Sequence, residues 1–388
     1  MSHANTVLIT GIRAPSALDI GRSFADFGWK VIGADCPRWP VARGSKAFSA
    51  IYRLPSPRHD HKGYAAAIAD IIRAETVDLL VPTCEEVFYL SRHKDEIEAL
   101  CQLFAMDLPL LRMLHDKTAL EVVAGGLGIG VPETYRVESR DELDSALSRL
   151  GGNVVLKPAF SRFASRTLIR PDAGKIARVH PSQDESWACQ RFILGEEVCC
   201  YAVAKNGRLR AFAAYRPLHR AGLGSGVYFS RVIDLELENF AARFAERHDF
   251  TGQFAFDLIV DPEGRAWVIE CNPRATSGVH LFAGGKELAK AFLEGNSVVR
   301  PVEGGRAATI GIGMALFGIP KAIFRGQFLQ SIRDWWAAND VIFRPEDHGP
   351  GWTQFLSIAE GLVKGLRFGR SPLAASTEDS EWNGEPLD

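Results

Sequence analysis

Residues 253–274 read QFAFDLIVDPEGRAWVIECNPR. Two apolar runs are separated by Asp261-Pro262-Glu263-Gly264, and proline and glycine in such a tetrapeptide are typical of a tight turn. The stretch therefore predicts a β-hairpin. Asp257 lies inside the first strand and Glu270 lies near the end of the second, so the hairpin can bring the two carboxylates together.

The acidic residues of this hairpin stand in strongly apolar sequence, where an unpaired carboxylate costs roughly several kcal/mol. Asn272 follows Glu270 by two residues and lies on the same face, because side chains alternate along a strand. Two carboxylates and an amide oxygen form a hard, oxygen-only donor set that suits Mg²⁺ shared with substrate phosphates. The alternative is a buried, partly neutralised acidic pair with a structural role.

Two lysines are candidates for phosphate binding. Lys157 ends the apolar run Val154–Leu156 and precedes Pro158, so a strand can deliver it to a loop, where it reaches a phosphate as a point charge. Lys117, in the sequence His-Asp-Lys-Thr, is ambiguous by itself. For either lysine alone, a solvated surface charge is the alternative.

A break in an apolar stretch occurs at residues 190–198, which read QRFILGEEV. Gly195 interrupts the stretch, and exposed backbone groups there can meet the edge of an adenine, while a glutamate accepts hydrogen bonds from ribose hydroxyls. A plain hairpin turn is the alternative.

Several further residues can bind substrate. Arg274, directly after the hairpin, can clamp a phosphoryl group or a carboxylate beside a metal site. The other candidates are an acid at the end of a predicted strand, Glu85, and two arginines before a glycine-rich loop, Arg216 and Arg220. Ser277 and Gly278, which follow Arg274, are also candidates. The acid can take an amine and the two arginines a carboxylate, although solvated loop charges are the alternative for all three.

Residues 1–108 alternate between short apolar strands and helical segments, which predicts a mainly parallel, doubly wound sheet with helices on both faces. Ligands on such sheets bind at the carboxyl ends of the strands. Gly11 after the first strand and Asp35 after the second also occur in dinucleotide-binding units. The turn Gly11-Ile12-Arg13-Ala14-Pro15-Ser16, however, has one glycine where that fingerprint has three, so an ordinary α/β lobe is the simpler interpretation.

The remaining chain divides into three segments by pattern. Residues 109–188 predict a small α+β unit, and residues 189–300 predict longer strands around one helix. Residues 301–388 predict amphipathic helices followed by a polar, acidic tail. Together with residues 1–108, these segments are the four domains that we expect.

The C-terminal segment has two candidate roles. Its helical stretches, Lys321–Ala337 and Trp352–Leu366, can form a lid over an acceptor site. They can also form a contact between two copies of the chain, through the aromatic residues Trp335, Trp336 and Phe343.

The bulk composition restricts the function. The chain has 388 residues, 46% hydrophobic and 24% charged, which is typical of a globular protein. A net charge of −2 gives no general attraction to nucleic acid or to an anionic membrane, so we expect neither partner. The polar first residues, the absence of an apolar run near ~20 residues and seven cysteines without a CxxC pair together predict a cytoplasmic protein with reduced thiols.

Taken in order, these pieces resemble the ATP-grasp superfamily. They comprise a strand-end lysine, a Gln-x-Phe-Ile-x-Gly-x-Glu hinge, an aspartate, a Glu-x-Asn pair and a Pro-Arg ending. The likeness is greatest to carbamoyl-phosphate-synthetase-like and D-alanine–D-alanine-ligase-like carboxylate–amine ligases, and it covers roughly residues 1–300. The resemblance implies an N-terminal parallel-sheet lobe, a small α+β lobe and a larger antiparallel-sheet lobe, here with a helical C-terminal extension.

The resemblance also implies a role for individual residues. In chain order these are phosphate binding by Lys117 and Lys157, adenine binding by Gln190 with the backbone of Phe192 and Ile193, ribose binding by Glu197, ligation of two Mg²⁺ ions by Asp257, Glu270 and Asn272, and stabilisation of the phosphoryl group by Arg274. Ser277 and Gly278 fall where related ligases hold substrate.

One loop departs from the superfamily. After the lysine strand, related enzymes have a glycine-rich loop that closes over the phosphates, whereas Pro158–Thr167 contains no glycine. Side-chain donors can replace the missing glycines, and the candidates are Ser161, Arg162, Ser165 and Arg166. A slow or inactive loop is the alternative.

The activity implied is ATP-dependent formation of an amide or peptide-like bond between a small-molecule carboxylate and an amine. It proceeds through an acyl phosphate and releases ADP and phosphate. Two alternatives are a kinase or carboxylase on the same scaffold, and a non-catalytic ATP-binding regulator.

Overall fold

Three β-sheets organise the chain in a computed structural model that describes residues 5–162, 166–222, 224–282, 284–295 and 297–387. The first sheet is parallel, and the second and third are built mainly from antiparallel pairs. This agrees with the prediction of a parallel-sheet lobe, a small α+β lobe and a larger antiparallel-sheet lobe.

The first sheet has the strand order β3-β2-β1-β4-β5, with every pair parallel. Its strands are β1 (Thr6–Thr10), β2 (Lys30–Asp35), β3 (Ala50–Arg53), β4 (Leu79–Val81) and β5 (Gln102–Leu103). Its helices are α1 (Pro15–Asp26), α2 (His61–Glu75), α3 (Glu86–Arg92) and α4 (Lys94–Glu98), with a 3₁₀ helix at Val41–Gly44. Val7 and Ile9 pack on the α1 side and Leu8 on the α2 and α3 side, so apolar residues in succession are buried on both faces.

The small sheet has the order β6-β9-β7-β8 and is antiparallel. Its elements are α5 (Leu108–His115), α6 (Leu120–Ala124), β6 (Thr134–Val137), α7 (Arg140–Leu150), β7 (Val154–Pro158), β8 (Leu168–Ile169), α8 (Ala173–Ile176) and β9 (Trp187–Arg191). Residues 108–124 form two short helices, α5 and α6, and not one continuous helix. The Asp116 carboxylate accepts hydrogen bonds from the amide and hydroxyl of Thr118, which favours a turn between them.

The large sheet has the order β14-β13-β10-β11-β12-β15-β16. Its elements are β10 (Glu196–Lys205), β11 (Arg208–Ala221), β12 (Ser225–Val232), α9 (Leu235–Arg247), β13 (Gly252–Val260), β14 (Ala266–Asn272), a 3₁₀ helix (Ser277–Phe282), α10 (Glu287–Phe292), β15 (Ala308–Thr309) and β16 (Asn339–Asp340). Cys199 and Cys200 pack into different apolar clusters on opposite faces, as their adjacency in a strand predicts. All seven cysteines are free thiols.

The C-terminal segment is mainly helical, as predicted, and it also supplies the last two strands of the large sheet, β15 and the edge strand β16. Its helices are α11 (Gly311–Gly313), a π-helix (Met314–Gly318), α12 (Ile319–Phe324), α13 (Phe328–Ala337), α14 (Gly349–Phe368) and α15 (Pro372–Ala375). Among the described residues, no helix combines the length and the apolar composition needed to cross a membrane.

The polar tail after α15 packs on the first lobe. The Trp382 ring lies 4.7 Å from Phe88 and 5.2 Å from Phe160, measured between ring centroids, and only 1% of its surface is exposed. Asp379 pairs with Arg13 at the end of β1. The tail is therefore an integral part of the core of the first lobe.

We expect Trp382→Ala to lower the free energy of unfolding by about 3–5 kcal/mol, because the substitution leaves a cavity in a buried aromatic cluster. Trp336→Ala is the matched control, since that ring is 80% exposed and its loss should cost about 0.5 kcal/mol or less. Urea unfolding followed by circular dichroism measures both. Equal stability of the two variants would show that the tail does not stabilise the first lobe.

Candidate functional site

The predicted hairpin forms from β13 and β14. The strands pair antiparallel with Asp257 directly opposite Glu270, and the register shifts between Asp257 and Leu258. The turn is closed by the Asp261 carboxylate, which accepts hydrogen bonds from the Glu263 and Arg265 amides. The sequence pattern thus predicted both the hairpin and the convergence of the two acids.

The two carboxylates repel each other in a poorly solvated place. Burial, with the negative charges of Glu270 and Glu197, raises the pKa of Asp257 to about 7. Asn272, on the same strand as Glu270, is buried, and its side-chain oxygen accepts a hydrogen bond from the Arg274 guanidinium at 3.1 Å. Asp257, Glu270 and Asn272 offer only oxygen atoms as metal ligands, and a bound cation would relieve the repulsion between the two carboxylates. The three residues therefore fit Mg²⁺.

Two buried lysines stand beside the acids. The Lys117 ammonium lies 3.5 Å from the Glu270 carboxylate and donates to the Ser161 carbonyl. The Lys157 ammonium donates to the Ile269 carbonyl at 2.7 Å, and its burial lowers its pKa to about 8. The lysines come from the small-sheet lobe and the acids from the large sheet, so positive and negative charge meet where these lobes join.

A single cavity of about 560 Å³ collects most of the predicted site, a volume suited to a small-molecule ligand. Twelve predicted residues line it, including the loop donor Arg162: Lys157, Arg162, Gln190, Phe192, Ile193, Glu197, Arg220, Asp257, Glu270, Asn272, Arg274 and Ser277. Residues of the first lobe, the small sheet and the large sheet all contribute. The cavity therefore lies at the junction of the three lobes, at the carboxyl end of β1.

The predicted adenine and ribose residues are already engaged. The Gln190 amide oxygen accepts from Lys157 at 3.1 Å, and its nitrogen donates to the Thr134 hydroxyl at 3.0 Å. The Phe192 amide donates to the Asn153 carbonyl. Gln190 thus positions Lys157 in this structure, and its contact with adenine remains a prediction.

Glu197 and Arg220, which the sequence assigns to ribose and to substrate, form an ion pair. Their side chains approach to 2.5 Å, and both residues line the cavity. A ribose that bound Glu197 would compete with this arginine for the carboxylate. The pair also places a positive charge near the acidic site, which favours an anionic ligand.

Outside the glycine-free loop, four predicted residues are not among the described residues that line the cavity: Glu85, Lys117, Arg216 and Gly278. Lys117 lies outside the cavity lining, and its ammonium is 3.5 Å from the Glu270 carboxylate. Glu85 has no exposed surface and lies 2.9 Å from the Arg162 guanidinium, so it forms an internal ion pair and is not open to a substrate amine. Arg216 is exposed and lies 3.4 Å from Glu196.

Gly278 has a packing role. A Cβ atom at this position would lie 2.4 Å from the Tyr201 Cβ and 3.1 Å from the Tyr215 ring. Both distances are too short for ordinary van der Waals contact, so only glycine fits. The neighbouring Ser277 does line the cavity, as predicted for a substrate residue.

The glycine-free loop is described in part, because residues 163–165, including the predicted donor Ser165, lie outside the described residues. Arg162 pairs with Glu85, and Arg166 pairs with Glu185. Thr167 lines the cavity. Both predicted arginine donors therefore contact carboxylates of the protein in this structure.

The sequence predicts none of the individual C-terminal residues that line the cavity, although a lid over an acceptor site is one of the two roles expected for this segment. One face of α14 lines it with residues spaced as i, i+3, i+4 and i+7, namely Ser357, Glu360, Gly361 and Lys364. The Lys364 ammonium lies 3.5 Å from both Glu360 and Asp379. This spacing is a signal in the sequence, because small and polar residues recur on one face of a helix whose other face is apolar.

Gly278→Ala tests the packing role. We expect a loss of about 1–3 kcal/mol in unfolding free energy, because the new methyl group overpacks the tyrosines. Gly174→Ala is the control, since among the described residues the only neighbouring atom within 4 Å of a Cβ there is an oxygen of the exposed Asp172 side chain, at 3.3 Å, which can move aside. Urea unfolding of both variants provides the measurement. Unchanged stability with weakened substrate binding would instead support the substrate role that the sequence predicts.

Metal affinity should depend on pH through Asp257. This carboxyl must lose its proton to ligate a cation, and its pKa is raised to about 7, so affinity should be full above about pH 8 and fall as the pH drops through about 7. Calorimetric titration of Mg·ADP at several pH values measures this. Glu263→Gln should keep the wild-type profile, whereas Asp257→Asn should bind weakly with little pH dependence. Identical profiles for both variants would contradict the assignment.

No protein-family profile matches the sequence. The fold is similar to that of N5-carboxyaminoimidazole synthetase from Staphylococcus aureus in complex with ADP, at 14% identity over 84% of this chain and 87% of that chain, with a TM-score of 0.62. It is also similar to biotin carboxylase from Campylobacter jejuni in a β,γ-ATP complex, at 13% identity over 76% and 72%, with a TM-score of 0.59. A third similar structure is L-amino acid ligase from Bacillus licheniformis, at 13% identity over 73% and 71%, with a TM-score of 0.55. The chain has the ATP-grasp fold, as its motifs imply.

Proposed function

We propose, from the ATP-grasp fold and the cavity at its centre, that this protein is an ATP-dependent carboxylate–amine ligase. One observation carries the proposal: Asp257 and Glu270 face each other in the cavity that also contains Lys157 and Arg274. Two facing carboxylates beside cationic side chains can bind a metal–phosphate complex. A structural role alone would not explain why two carboxylates that repel each other are held face to face. The products would be an amide or peptide-like bond, ADP and phosphate.

Mg²⁺ would be held by Asp257, Glu270 and Asn272, and two ions are the number that we propose. Within the described residues, no group of three or more His, Cys, Asp or Glu side chains can hold a metal ion by itself. Phosphate oxygens would therefore complete the coordination, as is usual for Mg²⁺ with nucleotides. When bound there, Mg²⁺ would neutralise negative charge on the phosphates during transfer.

ATP would lie along the cavity from the small sheet to the hairpin. Lys157 would bind the phosphates. Lys117 would hold the metal ligand Glu270 in position through its ion pair with that carboxylate. The adenine would lie against the segment that contains Phe192 and Ile193, and the ribose would bind Glu197 after Arg220 gives way. Glu270 would remain a ligand of the metal. Arg220, once separated from Glu197, would be available to an anionic substrate.

The reaction would occur in two steps. A substrate carboxylate oxygen attacks the γ-phosphorus of ATP, the bond to the β-phosphate oxygen breaks, and ADP leaves. The amine then attacks the carbonyl carbon of the acyl phosphate and expels phosphate. The chain would contribute charge and position: Lys157 faces the transferred group, while Arg274 beside Asn272 orients the acyl phosphate. No side chain of the protein has to form a covalent bond.

Asp257→Asn and Glu270→Gln should each reduce ADP formation by about a hundred-fold or more, since each removes preorganised charge at the transferred phosphate. Glu263→Gln, an exposed residue in the turn of the same hairpin, should leave the rate unchanged. A coupled assay of ADP release over panels of carboxylates and amines, with mass detection of products, supplies the measurement. Full turnover in the Asp257 and Glu270 variants would refute the metal assignment.

A carboxylase is the second candidate, because one similar structure is a biotin carboxylase. The same screen separates the two if it includes bicarbonate. ADP release that requires bicarbonate, with an acceptor and no amine product, would favour the carboxylase. A stable phosphorylated product would indicate a kinase, and tight Mg·ATP binding without any turnover would favour a regulator.

A further inference from the structure

Helix α14 presents its apolar side chains to solvent. Seven large hydrophobic residues are exposed along it: Trp352, Phe355, Leu356, Leu362, Val363, Leu366 and Phe368. Trp352 is 72% exposed and Leu366 is 86% exposed. The opposite face carries the small and polar residues that line the cavity. The helix is thus inverted relative to an ordinary surface helix, which buries its apolar stripe.

Close packing on the inner face fixes this orientation. A Cβ atom at Gly365 would lie 2.9 Å from the Arg370 carbonyl oxygen and 3.3 Å from Pro372, so the following chain packs directly against the glycine. On the same side, the Glu360 carboxylate accepts hydrogen bonds from the backbone amides of Arg38 and Trp39. Rotation that buried the apolar stripe would break these contacts and push side chains into the space of the backbone.

Helices α12 and α13 expose a second set of large apolar side chains. Phe324 is 92% exposed, and Leu329 and Trp336 are exposed as well. Phe343, between α13 and α14, is half exposed, and its ring lies 2.8 Å from the Cβ position of Gly351 at the start of α14. The apolar face of α14 is therefore continued at its N-terminus by the segment that follows α13. Exposed apolar surface of this extent marks a site of interaction.

The charge around these helices is one-sided. Residues 311–370 are all described, and their exposed cations are Lys321, Arg325, Arg333, Arg367 and Arg370, while Glu346 is their only exposed acid. The other acids of the segment turn inward: Asp334 pairs with His219 and Asp347 with Arg22. The whole chain has a net charge of −2, so the positive surface is a local property of this face.

We propose that the exposed face of α12–α14, which we call the C-terminal face, lies on an anionic lipid surface. Trp, Phe and Leu side chains would enter the boundary between headgroups and acyl chains, and the five cations would meet lipid phosphates. The charge distribution favours this occupant over a second copy of the chain. In a twofold contact, the five cations of one copy would face the five cations of the other. Each copy would offer only one exposed acid from this face, Glu346, to offset that repulsion. The sequence predicts no membrane partner, because the net charge of the chain hides this local surface.

Vesicle flotation of the full chain tests the proposal. Wild-type protein should bind vesicles of phosphatidylcholine with phosphatidylglycerol at least about ten-fold more strongly than phosphatidylcholine alone, and 0.5 M NaCl should weaken that binding. Both Trp352→Ser/Leu366→Ser and Arg367→Glu/Arg370→Glu should reduce binding by about ten-fold or more. Ile233→Ser/Leu235→Ser is the matched control, since those side chains are equally exposed outside α12–α14.

The variants change exposed side chains, so circular dichroism and Mg·ATP binding should stay as in the wild type. Lack of binding to anionic vesicles, or equal binding to neutral ones, would overturn the proposal. So would a dimer in sedimentation velocity that the Trp352→Ser/Leu366→Ser variant abolishes, because the face would then be a contact between copies. None of these outcomes depends on whether the protein is a ligase.

Discussion

The carboxylates of Asp257 and Glu270 face each other across two antiparallel strands, and their repulsion governs the arrangement around them. Burial already raises the pKa of Asp257 to about 7, so the pair requires positive charge to remain ionised. Lys117 approaches Glu270, and Lys157 is held nearby by Gln190 and by the carbonyl next to Glu270. Because the lysines belong to the small-sheet lobe, the same charges that prepare the site also join two lobes around it.

Glu85 is a further buried acid, and it joins three separate segments of the chain. It follows β4, and its carboxylate lies 2.9 Å from Arg162 and 3.6 Å from Arg274 and accepts a hydrogen bond from the backbone amide of Trp382. The loop after the lysine strand, the end of the hairpin and the C-terminal tail therefore converge on one residue. A buried ion pair adds little net stability, but removing one partner leaves the other charge unpaired, so this contact fixes the relative position of these segments.

Local patterns in the sequence predicted the fold well, whereas contacts between distant residues were not predictable. The turn sequence was enough to predict the hairpin and the approach of Asp257 to Glu270, whereas the register shift that sets them directly opposite has no signal in the sequence. Strand alternation likewise predicted the parallel sheet. Glu85 was interpreted as a cleft residue because no local signal reveals that a tail 297 residues away covers it. A related limit applies to α14: a lid is one of the roles expected for its segment, but the sequence does not show which face of the helix meets the cavity.

The proposed reaction depends on the hairpin acids holding a cation together with nucleotide phosphates. Anomalous diffraction from crystals grown with Mn²⁺ and ADP tests it directly, because Mn²⁺ can replace Mg²⁺ at oxygen ligands and marks its own position. We expect an anomalous peak within coordination distance of Asp257 and Glu270, with the phosphates of ADP on its other side. Nucleotide bound elsewhere, or bound in the cavity with no Mn²⁺ near these carboxylates, would contradict it.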